Sequence, residues 1–146
     1  MAAVKTVSYT HLTVNADNNT IYRFYGAGND KSMVAANDSN ATINGVTISD
    51  AAYGGCNTRD AVTNNNININ ESKAKFLFAG FSHYGDVTSN KLNINNSTIN
   101  YAYGGYSDYG NANNNSITIN NSSILANPSA IFGGYSVSGT TNGNPL

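Results

Sequence analysis

Apolar residues return along this chain in a fixed form, apolar-x-apolar followed at once by asparagine. The copies are Leu12-Thr13-Val14, Ala41-Thr42-Ile43, Ile67-Asn68-Ile69, Leu92-Asn93-Ile94 and Ile117-Thr118-Ile119, followed by Asn15, Asn44, Asn70, Asn95 and Asn120. Alternation at period two predicts a strand with one buried face. Five residues past each later triplet stands another small or aliphatic residue: Ile48, Ala74, Ile99 and Ile124. A third mark keeps step with both, Tyr53-Gly54-Gly55, Phe78-Ala79-Gly80, Tyr103-Gly104-Gly105 and Phe132-Gly133-Gly134, with Tyr25-Gly26-Ala27 as an imperfect early copy.

The intervals are nearly constant. Gly55 to Ile67, Gly80 to Leu92 and Gly105 to Ile117 are each twelve residues, and Ile69 to Gly80 and Ile94 to Gly105 are each eleven. The unit is therefore about 25 residues, and self-similarity at such a period marks a repeat architecture. Longer intervals place loops at Gly28–Asn40 and at Ala126-Asn127-Pro128-Ser129. The predicted fold is all-β: a single-stranded β-helix, or β-solenoid, with three short strands per rung and four to five rungs. The strands are the triplet, the Ile48-type patch and the aromatic-Gly-Gly segment, followed by a polar loop such as Ser107–Asn115. One solenoid domain spans 1–146, with a leader at 1–11, repeats over 12–139 and a tail at 140–146. No segment sustains helical spacing, and Asn, Ser, Thr and Gly are weak helix formers. Strands of a β-sandwich are not copies of one another at one phase.

Stacked rungs lie ~4.8 Å apart, so equivalent side chains sit above each other. Residues 15, 44, 70, 95 and 120 are therefore expected to form an asparagine ladder, as amides do in cross-β stacks. Asn65, Asn90 and Asn115, with Ser39, predict a partial second ladder. Ile67, Ile69, Leu92, Ile94, Ile117 and Ile119 form the predicted core, with Ile48, Ile99 and Ile124. Two aromatic columns follow, Tyr53, Phe78, Tyr103 and Phe132, and, three residues on, Cys56, Phe81, Tyr106 and Tyr135. Strict alternation would send one column inward and the other outward.

Composition adds exclusions. Charged residues make up 10% of the 146 and the net charge is -1, so no basic field attracts nucleic acid. Asparagine occurs 27 times, yet 40% of the chain is hydrophobic and periodically placed, unlike a disordered tract. The two prolines, Pro128 and Pro145, leave backbone N–H groups free for ladders. Cys56 is the one cysteine and reads as a small apolar member of its column. No run approaches the ~18 apolar residues of a membrane helix. Met1–Thr10 has no signal-like apolar centre.

The acids Asp17, Asp30, Asp38, Asp50, Asp60, Asp86, Asp108 and Glu71 form no column, which speaks against converging catalytic carboxylates. His11 and His83 lack partners at metal-ligand spacing and read as surface residues. The glycine pairs are not followed by the Lys-Ser/Thr of a phosphate loop, and the calcium nonapeptide pattern is missing. Lys73 and Lys75 read as an isolated solubilising pair. Asn-x-Ser/Thr triplets such as Asn95-Asn96-Ser97 follow from composition. No cofactor or metal is expected.

Tyr103-Gly104-Gly105-Tyr106-Ser107 and the run Gly110–Ile119, with Ile131-Phe132-Gly133-Gly134-Tyr135-Ser136, resemble repeats in passenger regions of Gram-negative autotransporter adhesins. The likeness covers roughly residues 12–139. It implies a right-handed β-helix displayed at the bacterial surface or secreted, acting without enzymatic activity in display or adhesion. The implied partners are host or bacterial surface glycans or proteins, with neither nucleic acid nor membrane insertion. Export and anchoring signals would lie outside this chain, and uncapped edges would allow end-to-end self-association. Two alternatives use the same scaffold. A polysaccharide-active enzyme would need an acidic groove, an ice-binding solenoid would need a regular Thr array, where the outward triplet positions read Thr13, Thr42, Asn68, Asn93 and Thr118, and a purely structural solenoid would bind nothing.

Overall fold

A computed structural model describes residues 11–15, 18–28, 31, 36–126 and 130–146. Among them every regular element is a β-strand. The first rungs contain β1 (Leu12–Asn15), β2 (Thr20–Gly28), β3 (Asn40–Asn44) and β4 (Thr47–Asn57). Next come β5 (Val62–Thr63), β6 (Asn66–Asn70), β7 (Lys73–Ser82), β8 (Val87–Thr88), β9 (Lys91–Asn95) and β10 (Thr98–Ser107). The last are β11 (Ala112–Asn113), β12 (Ser116–Asn120), β13 (Ser123–Ile124) and β14 (Ile131–Ser136).

All pairings are parallel, and the strands stack as a β-solenoid of about five turns. The first sheet has the order β1-β3-β6-β9-β12, and the second β2-β4-β7-β10, to which both β13 and β14 pair. The third is β5-β8-β11. Register is kept from rung to rung: Asn15 opposes Asn44, then Asn70, Asn95 and Asn120.

The division of each rung differs from the expected one. The Ile48-type patch and the aromatic-Gly-Gly segment belong to one long strand, 11 residues in β4 and 10 in β7 and β10. The third strand falls within the stretch expected as a polar loop. Its Val62, Val87 and Ala112 are fully buried, and Val62 and Val87 join Ala27 and Ala36 in a satellite core. One apolar residue per rung is too sparse for an alternation signal, yet it suffices to hold a corner. The fifth long strand, after β2, β4, β7 and β10, is split into β13 and β14. Leu125 N donates to Ile99 O and Ala102 N to Ala130 O, so the interruption lies where extra residues were placed; Asn127, Pro128 and Ser129, like Asp17 and Asp30, lie outside the described residues. Thr140–Pro145, expected as a tail, accepts rung hydrogen bonds through the carbonyls of Thr140, Asn142 and Pro145.

The main core is a column of inward residues: Ile43, Ile48, Ile67, Ile69, Leu77, Leu92, Ile94 and Ile99 are all buried, with Phe24 and Ala102. Ile117 is buried too, whereas Ile119 and Ile124 are partly buried against the same cluster. Each fully buried large aliphatic side chain contributes ~1.5–3 kcal/mol of transfer free energy.

Corners are set by left-handed backbone. Asp38, Asn64, Ser89 and Asn114 share φ values of 56–59° at one corner, and Gly45, Glu71, Asn96 and Asn121 have φ of 63°, 50°, 49° and 46° at another. Glycine and asparagine enter this region at little cost, which suits Asn64, Asn96, Asn114 and Asn121 to these corners. Glu71 is the misfit of its column.

Candidate functional site

The five predicted asparagines form a continuous ladder on the outer edge of the first sheet. Asn44 Nδ2 donates to Asn15 Oδ1 at 2.7 Å, Asn70 to Asn44 at 2.8 Å, Asn95 to Asn70 at 2.9 Å and Asn120 to Asn95 at 2.9 Å. These amides are half-exposed or exposed. The second ladder is buried and more fully bonded. Asn65 Nδ2 donates to Asn90 Oδ1 and Asn90 Nδ2 to Asn115 Oδ1, both at 2.9 Å. The same oxygens accept backbone N–H groups one rung back, Asn65 N at 3.0 Å and Asn90 N at 3.0 Å, and Ser39 N donates to Asn65 Oδ1. Asn144 continues the series by accepting from Asn115 N at 2.9 Å.

Two further polar columns escaped sequence reading. Val46 N donates to Ser72 Oγ, Ser72 N to Ser97 Oγ and Ser97 N to Ser122 Oγ, at 3.0–3.1 Å. At another corner Ser82, Ser107 and Ser136 each donate to a carbonyl of the preceding rung, those of Asp60, Gly85 and Gly110. Their phase of 25 residues, or 29 across the split strand, was visible, but serine carries no hydropathy signal. Among the described residues no buried side-chain N or O lacks a hydrogen-bond partner.

The inner ladder decides where the aromatics go. A Cβ on Gly105 would meet Asn115 Nδ2 at 2.3 Å, and one on Gly80 would meet Asn90 Nδ2 at 2.6 Å. Gly104 and Gly105 are both buried, so two successive residues turn inward and the alternation slips. The expectation that one aromatic column enters the core is therefore corrected: Tyr103 and Tyr106 lie on the same outer face, edge-on to each other at 5.4 Å. In the first column Tyr25, Tyr53, Phe78, Tyr103 and Phe132 stack at 5.0–5.4 Å with interplanar angles of 6–11°. In the second, Phe81, Tyr106 and Tyr135 stack at 5.2–5.3 Å, and Cys56, buried, holds the equivalent place above Phe81. Edge-to-face and offset-stacked contacts of this kind are the favoured aromatic geometries. Beyond them Tyr84 and Tyr109 stack at 5.2 Å and are 60% and 63% exposed.

Burial raises the Tyr53 and Tyr103 hydroxyls above the ordinary tyrosine value. Tyr106 is pushed up to about 12, first by burial and then by the charge and hydrogen bond of Asp108. Arg23 pairs with Asp50, whose hydrogen bond leads in holding the guanidinium charged.

His83, expected without a partner, pairs through Nδ1 with Asp108 of the next rung. Both stand three residues past their second glycine, the shared phase that reveals the contact. Asp86 Oδ1 accepts from Asn111 N at 2.8 Å and from its Nδ2. Asp50, Asp86 and Asp108 thus each bond to a neighbouring rung. Among the described residues no three His, Cys, Asp or Glu side chains are grouped to hold a metal ion. The chain matches no known family model, no curated protein sequence and no solved structure.

Proposed function

We propose that this chain is a segment of a non-enzymatic β-helix, displayed at a bacterial surface or secreted, that acts in display and adhesion through its aromatic face. One observation carries the reading: two aromatic columns run side by side through consecutive rungs, half-exposed apart from the buried Phe78 and pinned by an inner polar ladder. Rings held this way present a large amphipathic surface with little left to order on binding. Most rings of the first column stack with a neighbour on either side, so the surface offers ring edges and tyrosine hydroxyls to a surface protein or glycan. The bonds that tie Asp50, Asp86 and Asp108 to adjacent rungs favour a scaffold role for these acids over a catalytic one.

The test is an array of glycans and matrix proteins probed with the 146-residue chain and with Tyr84→Ser/Tyr109→Ser, a pair exposed enough to change without unfolding the rung. Selective binding that falls in the variant is the expected result. Uniformly blank arrays would reduce the chain to a spacer. Release of unsaturated sugars from an acidic polysaccharide would overturn the non-enzymatic reading.

A further inference from the structure

A separate groove lies on the second sheet, beside the register irregularity of β4 between Ile48 and Ala51. It has a volume of about 330 Å³, and its polar lining is Thr47 and Ser49, then Lys73 and Lys75, then Thr98 and Asn100, from three successive rungs, with apolar side chains between them and Leu125 of a fourth rung at one end. Thr47, Lys73 and Thr98 are direct register partners. Alternation along β7 explains the lysines: Lys73 and Lys75 point out while Ala74 between them is buried. Among the described residues neither lysine has a carboxylate within ion-pair distance. Glu71 shares a second depression with Lys73, which leaves Lys75 as the principal unopposed charge. Its Nζ lies 5.5 Å from the centroid of Phe76, which stacks on Tyr101 at 4.8 Å. The groove therefore offers cations at its centre, with hydroxyls and an amide one rung to either side.

We infer that this groove binds an acidic polysaccharide carrying carboxylates, laid along the solenoid axis with a carboxylate at Lys75 and sugar hydroxyls at the flanking Thr, Ser and Asn side chains. Exposed cations attract an anionic chain in a salt-dependent way. A nucleic acid would call for a denser track of cations, since its affinity scales with the number of phosphates neutralised. The inference deepens the adhesion reading and rests on it, but uses a different face.

The test titrates the whole chain with oligogalacturonate, neutral dextran and single-stranded DNA by calorimetry at two salt concentrations. Oligogalacturonate is expected to bind, more weakly at high salt, and dextran is not. Lys73→Gln/Lys75→Gln should weaken that binding about tenfold, equivalent to ~1.4 kcal/mol, with an unchanged melting temperature, whereas Lys91→Gln on the first sheet should not. Absence of oligogalacturonate binding, binding indifferent to the double substitution, or tighter binding of DNA would each overturn the inference. Absence of oligogalacturonate binding alongside array binding that falls in Tyr84→Ser/Tyr109→Ser would refute this groove while leaving the aromatic adhesion surface standing.

Discussion

Two asparagines one corner apart do different work. Asn90 Nδ2 reaches Val62 O and Asn115 Oδ1, and its Oδ1 accepts from Asn65, all out of water, while a further contact of Nδ2 with Thr88 O is part-buried. Asn90→Ala leaves several buried groups unpaired, each costing ~1–3 kcal/mol, so a loss of about 3 kcal/mol or more is expected. Asn95→Ala breaks the same kind of bond on a wetter edge, where water substitutes, and should cost less than ~1 kcal/mol. Thermal denaturation of the two variants measures the difference; equal effects would contradict the inner and outer assignment. Glu71 pays for a left-handed backbone that its column mates Gly45, Asn96 and Asn121 adopt easily. Glu71→Asn should stabilise by about 0.5–1 kcal/mol and raise the melting temperature by roughly 2–4 °C.

Within the long strands the glycine pair couples the polar interior to the aromatic exterior. Gly105→Ala sets a Cβ 2.3 Å from Asn115 Nδ2. The Asn115 side chain cannot retreat, because its Nδ2 donates to Val87 O and its Oδ1 accepts from Asn90; a loss of about 3 kcal/mol is expected from this overpacking, and a neutral melt would show the contact to be slack. The aromatic face also carries a pH signature. Tyr106 titrates near 12 in the folded chain against an ordinary 10.0. Above the unfolded value the unfolded state has lost a proton that the native state keeps, so stability falls as pH rises. The contribution is complete below pH 10 and is lost between about 10 and 12; Tyr106→Phe should flatten that part of a stability-against-pH curve. Legibility at this scale followed local pattern. The triplet strands and both asparagine columns could be read because alternation and phase agree in one short window. Val62, Val87 and Ala112 could not, being single apolar residues in polar surroundings. Nor could the shared face of Tyr103 and Tyr106, because the phase slip at Gly104-Gly105 depends on what Asn115 fills from another part of the rung. His83 and Asp108 were separable from the background only once the rung length was used to compare them.

Across the whole molecule, each rung touches its neighbours and little else, the condition under which stability becomes a sum of rung and interface contributions. What joins the rungs is register: the same columns carry the core, the amide ladders and the aromatic face, so a slip by one residue would break all three together. The aromatic face and the lysine groove are both by-products of that order, since each is assembled from residues contributed by successive turns. The most direct measurement is an isotope-labelled nuclear Overhauser spectrum of the asparagine side-chain amides. Cross-peaks should connect Asn44 with Asn70, Asn70 with Asn95 and Asn95 with Asn120, and, in the buried series, Asn65 with Asn90 and Asn90 with Asn115. Amides that show no contact one rung away, or that pair out of this order, would contradict the stacked solenoid and everything built on it.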